Sequence, residues 1–266
     1  IDSINKLGVR NVVIFQHPDG LEATLPVIHT LLPTDVAVYL MSPQSDMLMS
    51  RTKLSNVTGE PLIEVSCTQM PQSTLNIKRV SDIMVSVFAL IVLALPMCFI
   101  ALAVKLDSNG PVIYRQKRIG FRRKPFYILK FRTMRTDAES SGTPLLSTKN
   151  DSRITKVGRV LRKYRLDELP QFLNVARGDM SIVGPRPERE YFIDQIVQRA
   201  PFYTLLHQVR PGITSWGMVK YGYATSVDQM VERLRYDLLY IENISFAVDM
   251  KIILHTAVTV ISGKGL

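Results

Sequence analysis

Hydrophobic and polar positions along the chain change period several times, and each change marks an element. Residues 9 to 15 are a short β-branched run, residues 21 to 32 carry apolar side chains at helical spacing, and residues 36 to 41 form a second apolar run. That order is β-α-β and predicts part of a parallel α/β layer. Residues 42 to 76, with Pro43, Gly59, Pro61 and Pro71, read as loop and linker around one short strand at 62 to 65. Residues 83 to 104 then run for 22 positions without a charge, thirteen of them Leu, Ile, Val or Phe.

That segment is long enough to reach across a bilayer core. Its thirteen large apolar residues contribute about −4 to −8 kcal/mol to insertion. Pro96 costs about 3 kcal/mol, through a missing N–H and a clash with the preceding turn. Insertion wins, with a break at Pro96. Lys78 and Arg79 flank one end, and residues 115 to 135 beyond the other hold nine basic and no acidic residues. Both ends therefore prefer the cytoplasmic side, which a re-entrant helix-break-helix satisfies better than a straight span. A buried core helix is the plainer alternative.

The basic run R-Q-K-R-I-G-F-R-R-K-P-F-Y-I-L-K-F-R-T-M-R interleaves cations with aromatics around a strand that includes residues 127 to 131. Such a pattern fits nucleic acid or an anionic lipid surface, and the adjoining apolar segment favours lipid. On a strand, Lys130 and Arg132 would project from one face. Residues 137 to 151 are polar and loop-like, and Ile154, Val157, Val160 and Leu161 then recur at helical spacing.

This helix leads into Asp167 and Glu168, adjacent carboxylates crowded by Arg159, Arg162, Lys163, Arg165, Arg177, Arg186 and Arg189. Pro170 and Gly178 bracket a short helix with Asp167 near its N-cap. An Asp there either caps orphan N–H groups or uses the same anion site for chemistry. Gly184-Pro185-Arg186-Pro187 is a rigid turn that holds Arg186 in a defined direction. Two amphipathic helices follow, at 231 to 241 and 246 to 261, with core packing and membrane-surface contact equally open.

Composition narrows the partners. Lys plus Arg outnumber Asp plus Glu by 33 to 23, a balance of +10 that points to anionic partners. Cys67 and Cys98 form no metal or disulfide pattern, and His17, His29, His207 and His255 are scattered without metal-ligand spacing. The stretch after the first strand, Gln16-His17-Pro18-Asp19-Gly20, has no dinucleotide-binding glycines. The start at Ile1 is read as the loss of upstream residues.

Five blocks then carry a resemblance: K-R-V-S-D with Lys78, Arg79 and Asp82; R-Q-K-R-I-G; K-F-R-T-M; L-D-E-L-P-Q with N-V-A-R-G-D-M-S-I-V-G-P-R-P; and R-P-G-I-T-S-W at 210 to 216. Over about residues 78 to 266 the chain resembles the bacterial polyprenyl-phosphate sugar-1-phosphate transferases, monotopic phosphoglycosyl transferases that begin lipid-linked glycan assembly. The segment before them looks like the cytoplasmic module of the larger family members, which carry transmembrane helices ahead of it. Ser215, Gly217, Met218 and Arg123 depart from the usual family pattern.

The resemblance implies a two-step reaction in which Asp167 attacks the sugar-bearing phosphorus of a nucleoside diphosphate sugar. Undecaprenyl phosphate then accepts the phosphosugar, at the cytoplasmic face of the bacterial inner membrane. It gives Glu168 to Mg²⁺, makes Lys130, Arg162 and Arg186 the catalytic cations, and places Arg115, Arg132, Pro185, Pro187 and Arg210 in substrate binding. Lys78, Arg79, Asp82 and Pro96 become the membrane anchor. Membrane lipid is an expected partner, a homo-oligomer is compatible, and nucleic acid is not expected. A non-catalytic membrane scaffold is the rival reading, and it gives the acidic pair no role. The expected architecture is an α+β, mainly helical, membrane-associated catalytic domain (106–266). A linker and proline-broken re-entrant membrane helix (71–105) and a partial α/β Rossmann-like module (1–70) precede it.

Overall fold

In the computed structural model the described residues are 72–136, 138 and 151–263, with residues 9, 11–15, 24, 26, 27, 30, 31, 36–41 and 62–64 before them. The polar loop expected at 137 to 151 lies, apart from Ala138 and Asp151, outside them, as does most of the linker. The chain divides into two compact units, Ile1–Gln69 and Met70–Leu266. In the first, β1 (Asn11–Phe15) pairs in parallel with β2 (Ala37–Met41), and β3 (Leu62–Glu64) joins β2 antiparallel. The residues described between β1 and β2 are mostly helical. The parallel pair across an intervening helix is what a β-α-β unit requires.

The second unit begins with α1 (Gln72–Val92) and α2 (Ala94–Asp107), which meet at Leu93 with a bend of 63°. Pro96 stands in the first turn of α2, where a missing N–H is tolerated. Leu93 and Met97 carry the hydrogen bonding across the corner, Leu93 N–H to the Ala89 carbonyl and Met97 N–H to the Leu93 carbonyl, both at 2.8 Å. The break thus falls three residues ahead of the proline. No single helix among the described residues is long and apolar enough to cross a membrane. Between residues 83 and 104 only Ser86 and Val104 are buried, and Met84, Phe88, Ile91, Leu95, Phe99 and Leu102 are all exposed. A helix pair that leaves this much apolar surface uncovered is not a core element of a water-exposed domain.

The polar start of α1 is fastened to later elements of the same unit. Lys78 donates to Asp249 at 2.5 Å, and Arg79 donates to the carbonyls of Val175 (2.7 Å) and Ala176 (3.2 Å). Buried Asp82 accepts from the Ser181 hydroxyl at 2.6 Å. These three residues tie the apolar helix pair to the folded unit.

The far end of α2 is fastened as well, by Arg132. Its guanidinium donates to the carbonyls of Val104 (3.3 Å) and Ser108 (2.5 Å), which the helix end leaves open, and to that of Pro111 (2.6 Å) in the segment beyond. Asp107, the last residue of α2, accepts from Val157 N–H at 3.0 Å near the start of α3 (Lys156–Lys163).

β4 (Ile113–Ile119) and β5 (Pro125–Phe131) form an antiparallel ribbon, and α4 (Gln171–Arg177) lies against it. Buried Asn174 stitches the two together by accepting from Leu129 N–H at 3.0 Å and donating to the Tyr127 carbonyl at 2.8 Å. α4 stops at Gly178, whose φ of +102° is the left-handed C-terminal conformation expected from sequence.

β6 (Ser181–Val183) pairs in parallel with β7 (Gly212–Thr214), and α5 (Glu190–Arg199) lies between them in sequence. After β7 come α6 (Trp216–Lys220), α7 (Val227–Glu242) and α8 (Phe246–Ile261). Gly217 permits a close approach, since a Cβ there would lie 2.8 Å from the Asp237 carboxylate that accepts its N–H. α7 buries Met230, Leu234 and Ile241, whereas α8 leaves Phe246, Met250, Leu254, Val258 and Ile261 exposed along one stripe.

Candidate active site

The acidic pair does not cap a helix. Arg165 takes a left-handed conformation, with φ of 53°, and turns the chain out of α3 into a 3₁₀ turn, Leu166–Glu168. α4 begins only at Gln171, so Asp167 stands ahead of its first turn. A left-handed non-glycine residue costs about 1–2 kcal/mol, and Arg165 is held there by what its side chain does. Its guanidinium forks onto Glu168 Oε2 at 2.9 and 2.6 Å and also reaches the Ile213 carbonyl at 3.1 Å.

Both carboxylates are buried, Asp167 at 7% exposure and Glu168 at 4%. Glu168 Oε1 accepts from Lys130 at 2.8 Å, and Arg186 stands 3.7 Å from the same oxygen. Burial opposes its charge, but Arg165, Lys130 and Arg186 outweigh burial, and Glu168 lies well below the usual carboxylate range. Asp167 goes the other way: burial raises it, Lys130 opposes that, and the charge of Glu168 adds to the rise. Lys130 is lowered by burial and by Arg186, with Glu168 pulling back. Adjacent buried acids pushed in opposite directions mark a candidate functional site.

Asp167 and Glu168 line a cavity of about 380 Å³ together with Lys130, Arg162, Arg186 and Tyr223. Arg162 comes from α3 and is steadied by the Thr133 hydroxyl at 2.8 Å. Arg186 comes from the proline-framed turn after β6, and Lys130 from β5. All five residues expected to be catalytic are therefore in one cavity.

The expected substrate-binding residues are placed differently. On β4 the side chains alternate, and Tyr114, Gln116 and Arg118 share the face of Lys130 and line the cavity. Arg115 is exposed on the opposite face, one residue out of register with that row. Arg132 borders the cavity, yet its guanidinium closes the end of α2, because β5 stops at Phe131 and the alternation with Lys130 stops with it. Arg210 donates to the Gly178 carbonyl at 3.1 Å and lies over Phe121. Pro185 and Pro187 act through their carbonyls, accepting from Gly212 N–H at 2.9 Å and from Arg118 at 3.2 Å.

A second buried ion network, which sequence reasoning missed, supports the same cavity. Glu188 is 4% exposed and accepts from Arg118 at 3.0 Å and Arg233 at 2.8 Å, and Arg233 lies 4.0 Å from Asp237. Its members come from β4, the turn before α5, and α7, separations that no local pattern records. The only sequence hint is the acid immediately after the G-P-R-P turn.

Among the described residues no group of three or more His, Cys, Asp or Glu side chains could hold a metal. Mg²⁺ bound through substrate phosphates needs only one or two carboxylates. Asp167 and Glu168, side by side on a cation-lined cavity, fit that donor set, with Lys130 the partner that an ion on Glu168 Oε1 would displace.

The fold and site define a mainly helical domain that presents paired buried carboxylates in a cationic cavity, joined to a bent apolar helix pair. The chain belongs to the bacterial sugar transferase family, whose model matches residues 73–263. It is similar to a UDP-N-acetylgalactosamine-undecaprenyl-phosphate N-acetylgalactosaminephosphotransferase of Aeromonas hydrophila, at 39% identity over 86% of this chain and 53% of the relative. It is also similar to UDP-glucose:undecaprenyl-phosphate glucose-1-phosphate transferases of Escherichia coli (38%, over 93% of this chain and 54% of the relative) and Klebsiella pneumoniae (41%, over 96% and 55%). The chain thus spans about half the length of these curated relatives.

Proposed function

We propose that this chain transfers a sugar 1-phosphate from a uridine diphosphate sugar to undecaprenyl phosphate through a phosphosugar covalently bound to Asp167. The observation that carries this reading is the buried Asp167 facing a cavity with Lys130, Arg162 and Arg186, beside a Glu168 that is already ion-paired. The relatives' names supply the substrate class.

A carboxylate approaching a diphosphate meets like charge, about 4 kcal/mol per unit pair at 4 Å and an effective dielectric near 20. Lys130, Arg162 and Arg186 offset that repulsion at the cavity wall. The Asp167 oxygen forms a bond to the sugar-bearing phosphorus, and the bond from that phosphorus to the nucleoside monophosphate breaks. A polyprenyl phosphate oxygen then takes the phosphosugar and frees the carboxylate. Glu168 keeps its charge throughout and holds Arg165 in place through Oε2. Mg²⁺, held by Glu168 or by both acids, would neutralise the diphosphate oxygens when bound.

The helix pair α1–α2 accounts for the acceptor. We place it as a re-entrant hairpin on the cytoplasmic face of the bacterial inner membrane, because Lys78 and Arg79 flank one end and the basic run of β4 and β5 the other. With Cys67 and Cys98 replaced by Ser, Arg79 and Arg115 changed singly to Cys are then expected to react with an impermeant maleimide from the cytoplasmic side only. Labelling of the two from opposite sides would replace the hairpin with a straight span. The function itself is tested by incubating the membrane-bound protein with a panel of labelled nucleotide sugars and undecaprenyl phosphate. Label in the lipid fraction from at least one UDP-sugar is expected, and none from any donor would reject the assignment.

A further inference from the structure

We propose that the Tyr223 hydroxyl is a catalytic hydrogen-bond donor to the phosphoryl group transferred at Asp167. The inference rests on the function proposed above and adds a residue to it.

Tyr223 stands on a short bridge between α6 and α7 that is fixed at both ends. At its start, Tyr221 and Gly222 N–H groups both return to the Gly217 carbonyl, at 2.9 and 3.2 Å, and Gly222 takes a φ of +93°. At its finish, Thr225 N–H donates to Gln229 Oε1 at 2.7 Å, and Ser226 caps α7. Left-handed Gly222 turns the chain after α6, and Tyr223 on that bridge lines the cavity. Its ring centroid lies 5.1 Å from the Arg186 guanidinium and 5.9 Å from that of Arg165, within the range at which cations and aromatic rings attract.

Tyr223 shares the cavity lining with Asp167, Glu168, Arg162 and Arg186, which arrive from α3, the turn after it and the turn after β6. The two arginines under its ring are the ones that reach Glu168, Arg186 at 3.7 Å and Arg165 at 2.6 Å, so Tyr223 stands at the acidic-pair end of the cavity that Asp167 also lines. Burial and the nearby carboxylates push the phenol up to about 12, so it keeps its proton at neutral pH. A neutral donor suits this position, since a phosphoryl oxygen gaining charge can accept its hydrogen bond without a competing ion pair. No proton changes owner: the phosphorus to Asp167 bond forms, the bond to the nucleoside monophosphate breaks, and the phenol O–H only lends its hydrogen bond.

Tyr223→Phe keeps the ring over Arg186 and Arg165 and removes the donor alone. With the membrane-bound protein and a UDP-sugar that the wild type uses, we expect formation of the phosphosugar adduct in a single turnover to slow about 100-fold, with donor KM changed less than about threefold. Tyr223→Leu, which also removes the ring, is expected to raise KM in addition. A Phe variant with wild-type turnover would reduce Tyr223 to packing under the two arginines and overturn the proposal. So would a Phe variant with raised KM and unchanged kcat, which marks ground-state binding. Wild-type protein that forms no adduct with any nucleotide sugar would instead reject the function on which the proposal rests.

Discussion

Asp167→Asn is expected to abolish transfer, with a loss of at least about 10⁴-fold in kcat for sugar-phosphate delivery to the lipid. The amide has the shape of the carboxylate and cannot form the acyl phosphate bond. The protein should nevertheless be as stable as wild type or more so. Burial raises the Asp167 carboxyl in the folded state, so its contribution to stability is full below the unfolded value near 3.9 and is lost as pH rises through the folded value. At neutral pH the native ionised Asp167 is thus a destabilising group, and an uncharged amide relieves it. The same shift gives wild-type activity an acid limb above the ordinary Asp range, since the nucleophile must be ionised. A variant with dead chemistry and a higher Tm separates this site from a helix cap, whose removal lowers Tm.

Glu168→Gln is expected to do the reverse to stability. It leaves the buried Arg165 fork and Lys130 facing a neutral amide, a loss of about 3–5 kcal/mol of the kind seen when one partner of a buried pair is removed. For a domain of this size, that is roughly 6–20 °C in Tm. Because Glu168 is depressed in the folded state, its contribution is present above the unfolded value near 4.3 and is lost only as pH falls through the much lower folded value. The Tm gap between variant and wild type should therefore persist from pH 5 to 8 and narrow only under strong acid. Thermal unfolding of both variants across that range would show opposite signs for neighbouring carboxylates. Equal and small effects would mean that neither is buried as described.

The parts of the site that sequence made legible are those written locally. The charge-free run with Pro96 announces a broken apolar helix, Gly178 announces the end of α4, and two acids among seven cations announce a charged site. Positions fixed by partners far along the chain were not legible. Alternation on β5 points Lys130 and Arg132 the same way, but the strand ends between them, and the carbonyls of Ser108 and Pro111 capture Arg132. On β4 the cavity face is decided by pairing with β5, which selects Arg118 over Arg115, although the two read alike in a basic run. Asp167 reads as a cap because Pro170 follows it, whereas the left-handed turn at Arg165 is set by the Glu168 fork. Tyr223 carries no motif, and only the packing of its bridge against the cavity identifies it.

The central claim is a covalent phosphosugar on Asp167, and intact-mass measurement followed by peptide mapping addresses it most directly. The membrane-bound protein is incubated with a UDP-sugar that it uses and without lipid acceptor. The account requires one added phosphosugar on the peptide that contains Asp167, removable by undecaprenyl phosphate and absent from Asp167→Asn. Efficient transfer to the lipid with no mass added to that peptide, or with the added mass on Glu168, would contradict it.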